Sequence, residues 1–338
     1  MPSKHIVVIG TSAGGIETLR ELVAGLPADF PAPVAIVMHL SPESPDVLAE
    51  ILTRSGPLPA VLVRNGERLT GGTIYVAPAD RHLLVEPGRL RVTRGPRENR
   101  FRPAIDPLFR SAAQVYGPRA IGVILSGNLD DGSAGMWAIK QLGGVTIAQD
   151  PDTALFRSMP ENAIQHVRMD YVVPVNEIPA VLVSLASGTR PEPARPAATP
   201  GSLDVEVRIA AEANPVDAGL LKVAEPSTFA CPECHGVLLQ MRESDQIRFR
   251  CHTGHAFSPH SLKAEVMDQI DSALWNTVRA LQEGALLLRT LGEHLQQHHP
   301  AGGGADLAAR GAELLRQAET IRAMATAHAP GETEVAVR

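Results

Sequence analysis

Over its first 187 residues the chain keeps returning to one pattern: a short β-branched run, a glycine-rich or polar break, then a stretch with apolar residues at helical spacing. A run that is apolar on both sides has no face to offer water, so such strands are buried between layers of helices. The runs at 5–9, 34–38, 120–125 and 144–148 are of this kind. They predict an α/β fold, a doubly wound and mostly parallel sheet. Residues 72–78, and 82–86 with 90–93, alternate more strongly and are joined by turn residues, so part of this region is expected to form an antiparallel hairpin at the edge of that sheet.

A length of 338 residues suits about two domains. With 44% hydrophobic and 20% charged residues, neither disorder over most of the chain nor a membrane-spanning protein is expected. The net charge of −6 offers no basic field for nucleic acid. The apolar run at 5–9 is too short for a signal segment, so a cytoplasmic protein without membrane insertion is expected.

The expected organisation is an α/β domain at 1–187, a proline-rich linker at 188–202, a small zinc-ribbon-like module at 203–260, a helical hairpin at 261–328 and a tail at 329–338. The ribbon is expected to be preceded by a strand-like segment at 203–209. Leu262, Val266, Ile270, Leu274, Val278, Leu281, Ala285 and Leu288 recur at helical spacing, and Leu307, Leu314, Ala318 and Ile321 begin a second helix after the break at 298–304.

In open parallel sheets the chemistry collects at the carboxyl ends of the strands. The first run leads into Gly10, Thr11, Ser12, Ala13, Gly14 and Gly15, a sharp turn with Ser12 at its tip; the second ends at His39; the run at 120–125 leads to Asn128, Leu129, Asp130 and Asp131. A hydroxyl, an imidazole and a carboxylate are the parts that activate an oxygen nucleophile. Each also has a plain structural reading: Ser12 as the N-cap of the next helix, His39 as an idle strand-end histidine, Asp131 as the cap of a helix starting near Ser133. Asp130 and Asp150 compete for the carboxylate role.

Six segments, in order, carry a resemblance: Ile9-Gly-Thr-Ser-Ala-Gly-Gly15; Leu26-Pro-Ala-Asp-Phe-Pro-Ala-Pro33 with Val37-Met-His39; Gly72-Thr-Ile-Tyr-Val-Ala-Pro78; Arg102-Pro-Ala-Ile-Asp-Pro-Leu-Phe109; Gly122-Val-Ile-Leu-Ser-Gly127 with Asp131-Gly132; and Met159-Pro160. Over about residues 3–185 the chain resembles the chemotaxis receptor protein-glutamate methylesterase family, the CheB-type catalytic domain. The resemblance implies hydrolysis of glutamyl methyl esters on methylated chemoreceptor-like proteins, without a catalytic cofactor, and often glutamine deamidation. It matches Ser12 to the nucleophile, His39 to the base and Asp131 to the orienting carboxylate, with backbone N–H groups of Ala13 and Asn128 as oxyanion donors and Arg102 bordering the substrate cleft. Familiar members carry a threonine where this chain has Ala13, and an N-terminal receiver domain where this chain begins its first strand at His5. The usual phosphorylation switch is therefore expected to be missing.

Cys231 and Cys234 form a C-x2-C knuckle, followed by Cys251 and His255 at C-x3-H spacing. Two ligand turns separated by a hairpin are how a zinc ribbon gathers four ligands, and three thiolates with one imidazole predict a closed, structural Zn²⁺ site. His252, with His235 and His260 as weaker rivals, competes for the fourth position. This tail resembles extensions of some receiver-less members of the same family. The alternative to an esterase is a non-catalytic regulatory module that uses ribbon and helices to recruit a partner, such as another signalling protein.

Overall fold

The computed structural model describes residues 5–188, 201–241, 247–298 and 303–328. The chain divides into two compact units, one reaching Leu262 and one starting at Lys263.

The first unit opens with β1 (Ile6–Thr11), α1 (Gly15–Ala24), β2 (Val34–Met38), α2 (Leu48–Ser55), β3 (Ala60–Leu62) and β4 (Ile74–Val76), then forms β5 (His82–Glu86) and β6 (Arg89–Thr93). It continues with α3 (Ile105–Tyr116), β7 (Ala120–Ile124), α4 (Ser133–Gln141), β8 (Val145–Gln149), α5 (Ser158–His166), β9 (Tyr171–Val173) and α6 (Ile178–Ser187). Seven of these strands make one sheet in the order β3-β4-β2-β1-β7-β8-β9, every pairing parallel. The alternation of a strand's side chains divides the core in two. Ile6 and Val8 face Leu108 and Phe109 of α3, Ile139 of α4 and Met159 of α5. Val7 and Ile9 face Leu19 and Leu22 of α1, Leu52 of α2 and Leu182 of α6. Because β1 pairs with β2 on one side and with the much later β7 on the other, strand order reverses there. That reversal opens the crevice at the carboxyl ends in which ligands of such sheets bind.

The 72–93 region divides in a way its alternation does not reveal. β4 is an interior parallel strand, and the antiparallel pair β5–β6 is a separate two-stranded sheet rather than the edge of the main one. The hairpin buries Leu83, Val85 and Leu90 in the same core as α3, and the Val85 N–H donates to Ser111 Oγ on that helix at 2.9 Å.

Of the expected linker, residues 189–200 lie outside the described residues. The segment at 203–209, expected as a strand, is helix: α7 (Gly201–Ala210) is followed by α8 (Leu220–Val223). Leu203, Val205, Val207 and Ile209 alternate as a strand's would, but the buried positions are 202, 203, 205, 206, 209 and 210, the spacing of a helix face. The misleading residue is Glu206. It reads as solvent-facing, yet it is buried because it meets the guanidinium groups of Arg248 and Arg250.

β10 (Ala224–Ala230), β11 (Val237–Met241), β12 (Phe249–Cys251) and β13 (Ala256–Phe257) form an antiparallel four-stranded sheet, the ribbon. A buried charge network joins it to the α/β core. Glu98 receives Arg110 from α3 on one oxygen and Arg250 from β12, at 2.9 Å, on the other, and all three side chains are 1% exposed. Glu206 of α7 adds a second carboxylate, 3.4 Å from Arg250 and 3.9 Å from Arg110. Burial opposes charge on both carboxylates, but the arginines outweigh it; Glu206 is held at about 2 and Glu98 lower still.

The second unit is formed from α9, whose full range is Pro259–His298, and α10 (Gly304–His328). Its seam repeats every seven residues with small side chains: Val278, Ala285 and Gly292 on α9, and Gly304, Gly311, Ala318 and Ala325 on α10, are buried. The backbones meet so closely that a Cβ added to Gly304 would lie 2.7 Å from the Gly292 carbonyl oxygen. No helix among the described residues is long and apolar enough to cross a membrane.

Candidate active site and metal centre

β1, β2 and β7 end side by side, and each leads into one part of the site. Ser12 follows β1 at the turn into α1, where Gly14 at φ 72° adopts the left-handed backbone that glycine allows without strain. The Ser12 N–H donates to the Ser126 carbonyl at 3.0 Å, which ties this turn to the loop after β7. His39 follows β2. Its Nδ1 lies 3.1 Å from Ser12 Oγ and its Nε2 lies 2.7 Å from Asp131 Oδ2. A carboxylate only accepts, so Nε2 carries the hydrogen given to Asp131, and the Nδ1 lone pair is left to receive the Ser12 hydroxyl hydrogen.

The carboxylate of Asp131 is fully engaged. Oδ2 also accepts from the Ile105 N–H at 2.6 Å, while Oδ1 accepts from Asn99 Nδ2 at 2.8 Å and more distantly from the Asp106 N–H at 3.4 Å. Ile105 and Asp106 open α3, which has no capping side chain at its own N-cap, Ala104. Asp131 therefore caps α3 rather than the helix that follows it, and Asp106 in return accepts from the Gly135 N–H of α4 at 2.7 Å. These helix starts place partial positive charge at the buried carboxylate. Burial acts to raise the Asp131 pKa, but His39, the Ile105 N–H and Asn99 outweigh it and hold the group below the ordinary carboxylate value. Asp106 goes the other way: burial, then the charge of Asp131, raise it to about 7 despite Arg110 at 3.7 Å.

The competing carboxylates have other partners. Asp130 accepts from Ser258 Oγ at 2.6 Å and faces His260 Nδ1 at 3.2 Å, and Asp150 caps the short turn at 151–153. The Ala13 and Asn128 N–H groups have no intramolecular acceptor among the described residues, and they flank Ser12 and the end of β7. Leu129, beside Asn128, is held at φ 63°, a costly conformation for a bulky residue that shapes this loop. Arg102 is engaged elsewhere: Nε donates to Asp80 Oδ1 at 2.8 Å and Nη1 to the Gly95 carbonyl at 3.0 Å, so the structure brings it to Asp80 and not to the three polar groups of the site.

Two neighbours of Arg102 were not singled out in the sequence. Phe101 stacks on the His39 ring with centroids 3.6 Å apart and planes 10° from parallel. Asn99 holds Asp131. Both belong to a tight reversal: Asn99 and Arg100 at its tip take positive φ, 49° and 78°, and the flanking Glu98 and Phe101 exchange backbone hydrogen bonds. Asn99 in a reversal was the available signal.

In the ribbon, the ligating atoms of Cys231, Cys234, Cys251 and His255 all lie within 4.8 Å of one another. The Sγ atoms of Cys234 and Cys251 are 3.6 Å apart, far beyond a disulfide bond, and His255 Nδ1 is 3.5 Å from Cys251 Sγ and 3.7 Å from Cys231 Sγ. Such spacings suit a tetrahedron around a metal ion with bonds of about 2.0–2.3 Å. His255 is the imidazole of this group. His252 instead lies against Gly236, and His260 against Asp130.

A hydroxyl, an imidazole and a carboxylate thus stand in one hydrogen-bonded line at the carboxyl ends of a doubly wound parallel sheet, an arrangement able to activate an oxygen nucleophile. Residues 7–182 match the CheB methylesterase family, and the chain belongs to it. It is 41% identical over 181 residues to a protein-glutamate methylesterase/protein-glutamine glutaminase of Anaeromyxobacter dehalogenans, a match covering 54% of this chain and 53% of the relative. The chain thus spans about half the length of that relative. A putative enzyme of the same name from Leptospira interrogans is 37% identical over 180 residues, 53% of this chain and 93% of the relative. The crystal structure of the Thermotoga maritima CheB methylesterase catalytic domain is similar with a TM-score of 0.52 and 36% identity, covering 54% of this chain and 98% of that one.

Proposed function

We propose that the chain is a protein-glutamate methylesterase and, by the same chemistry, a protein-glutamine glutaminase acting on methylated chemoreceptor-like proteins in the cytoplasm. The observation that carries the reading is the unbroken hydrogen-bonded line from Ser12 Oγ through the His39 ring to Asp131. Ser12 Oγ attacks the ester carbonyl carbon while His39 Nδ1 takes its proton, and the charge on the former carbonyl oxygen is met by the Ala13 and Asn128 N–H groups. Collapse of the tetrahedral adduct breaks the bond to methoxide, which leaves as methanol with the proton from His39. Water, deprotonated by His39, then attacks the acyl group on Ser12; the bond between the acyl carbon and Oγ breaks, His39 returns the proton to Oγ, and the glutamate carboxylate is freed. Asp131 holds the ring in the required tautomer and stabilises it while it is charged. Methanol release from receptor fragments bearing glutamyl methyl esters tests the reading: release is expected, and its absence overturns the activity.

The ribbon's role in this reading is structural, with Zn²⁺ on Cys231, Cys234, Cys251 and His255. Three thiolates and an imidazole leave no open position, and the ribbon's own core is small, with Leu238, Phe249, Phe257 and Leu262 around two of the cysteines. One zinc per chain is expected by metal analysis, and Cys234→Ser is expected to lose it and to lower the unfolding midpoint. Equal zinc content in both proteins overturns the site.

A further inference from the structure

The ribbon's last strand docks on the reversal beside His39. Ala256 of β13 accepts the Asn99 N–H at 2.8 Å and donates its own N–H to the Arg97 carbonyl at 3.2 Å. Two residues on, the Ser258 N–H and the Ser261 hydroxyl both donate to Asn99 Oδ1, at 2.9 and 3.0 Å. The other end of the same amide donates to Asp131 Oδ1 at 2.8 Å and to Asp106 Oδ2 at 3.1 Å. Asn99 is 5% exposed and Ser261 fully buried. An amide can be turned end for end about its last torsion, and here two donors from the ribbon side fix which end faces the carboxylates. Without them, an oxygen could rotate toward Asp131 and repel the anion that orients His39.

We infer that Asn99 is a positioning residue of the hydrolytic site that takes its orientation from residues 256–261, so that docking of the C-terminal ribbon sets the reactivity of Ser12. The inference rests on the proposed role of Ser12 as nucleophile. Among the described residues, this is a path of direct hydrogen bonds to His39 from the segment that follows β13: Ser261, in the first turn of α9, to Asn99, Asn99 to Asp131, Asp131 to His39.

The test uses the full chain and a fluorophosphonate, which reads the nucleophile whatever the natural ester. Ser12 Oγ bonds to phosphorus, fluoride leaves, and the proton passes to His39; mass spectrometry locates the adduct. Asn99→Gly removes the amide and tolerates the positive φ; Ser261→Ala removes one donor and touches none of the three reacting groups. The Ser12 labelling rate is expected to fall about 30-fold in Asn99→Gly and about 5-fold in Ser261→Ala, and the double variant to be no slower than Asn99→Gly alone. For methyl-ester hydrolysis the loss is expected in kcat with KM within about twofold, since substrate contacts are untouched. Independent, multiplying effects overturn the inference, as does an unchanged rate in a folded Asn99→Gly protein. Should Asn99→Gly fail to fold, an unchanged rate in Ser261→Ala overturns it instead. Absence of any adduct on Ser12 in the wild type overturns the hydrolase reading itself, and this inference with it.

Discussion

Replacing Ser12 by alanine is expected to lower kcat/KM for release of methanol from a glutamyl methyl ester roughly 10⁴- to 10⁶-fold while secondary structure and unfolding midpoint stay as they are. The size of the effect follows from the geometry. Among the described residues no other hydroxyl is placed on His39 Nδ1, and its Nε2 is committed to Asp131, so the base is left with water held less well. The residual rate would come from the oxyanion donors and binding alone. The backbone of the turn is held by the Ser12 N–H to the Ser126 carbonyl and by the Gly15 N–H to the Ser12 carbonyl, both 3.0 Å, and neither needs the side chain. Methanol release and circular dichroism on both proteins check the two halves of this expectation, and a Ser12→Ala protein of wild-type activity would remove Ser12 from the mechanism.

The second large effect concerns stability. Glu98→Gln is expected to cost about 3–5 kcal/mol, because it leaves Arg110 and Arg250 buried with Glu206, which Arg248 also engages, and with Asp106, which is itself raised to about 7. In a unit of this size that lowers the unfolding midpoint by roughly 10 °C, measurable by calorimetry. The same network fixes a direction with pH. Glu206 ordinarily titrates near 4.5 and is held at about 2 in the fold, so the stability it contributes is complete above about pH 4.5 and is lost as the pH falls toward 2. Glu98 acts in the same sense. An acid midpoint that shifts upward in Glu98→Gln, together with a lowered thermal midpoint at neutral pH, is the expected result; a midpoint unchanged at both pH values would show that the arginines find compensation elsewhere.

These two expectations differ in how much of them was readable from the chain. The sheet was legible because strands buried on both faces leave continuous apolar runs, and the loops that carry Ser12, His39 and Asp131 were legible because each follows such a run. Choosing Asp131 over Asp130 was not decided by composition or spacing, since adjacent residues share one loop; the family resemblance pointed to Asp131, and the geometry assigns them different partners. The start of α3 bonds to the first, while Ser258 and His260 take the second. The helix at Gly201–Ala210 was misread for a physical reason. A buried charge mimics a surface one until its partners, Arg248 and Arg250, are known, and these lie more than 40 positions away. The same blindness hid the attachment of the ribbon to the α/β core, which depends on Glu98, Arg110 and Arg250, ordinary surface residues in a one-dimensional reading. Phe101 and Asn99 escaped because a tight reversal, and not periodicity, carries them to His39 and Asp131. The hairpin of β5 and β6 was visible as a hairpin, but whether it joins the main sheet depends on packing against α3, which no local pattern encodes.

The central claim is that three distant loops form one nucleophilic unit, and the most direct measurement is the rate of methanol release from a glutamyl methyl ester by the wild type, Ser12→Ala, His39→Gln and the double variant. Groups that act together are lost together. The double variant is expected to be no slower than either single variant, each already at the residual rate. A double variant slower by the product of the two single effects, or a His39→Gln protein of wild-type rate, would contradict the unit.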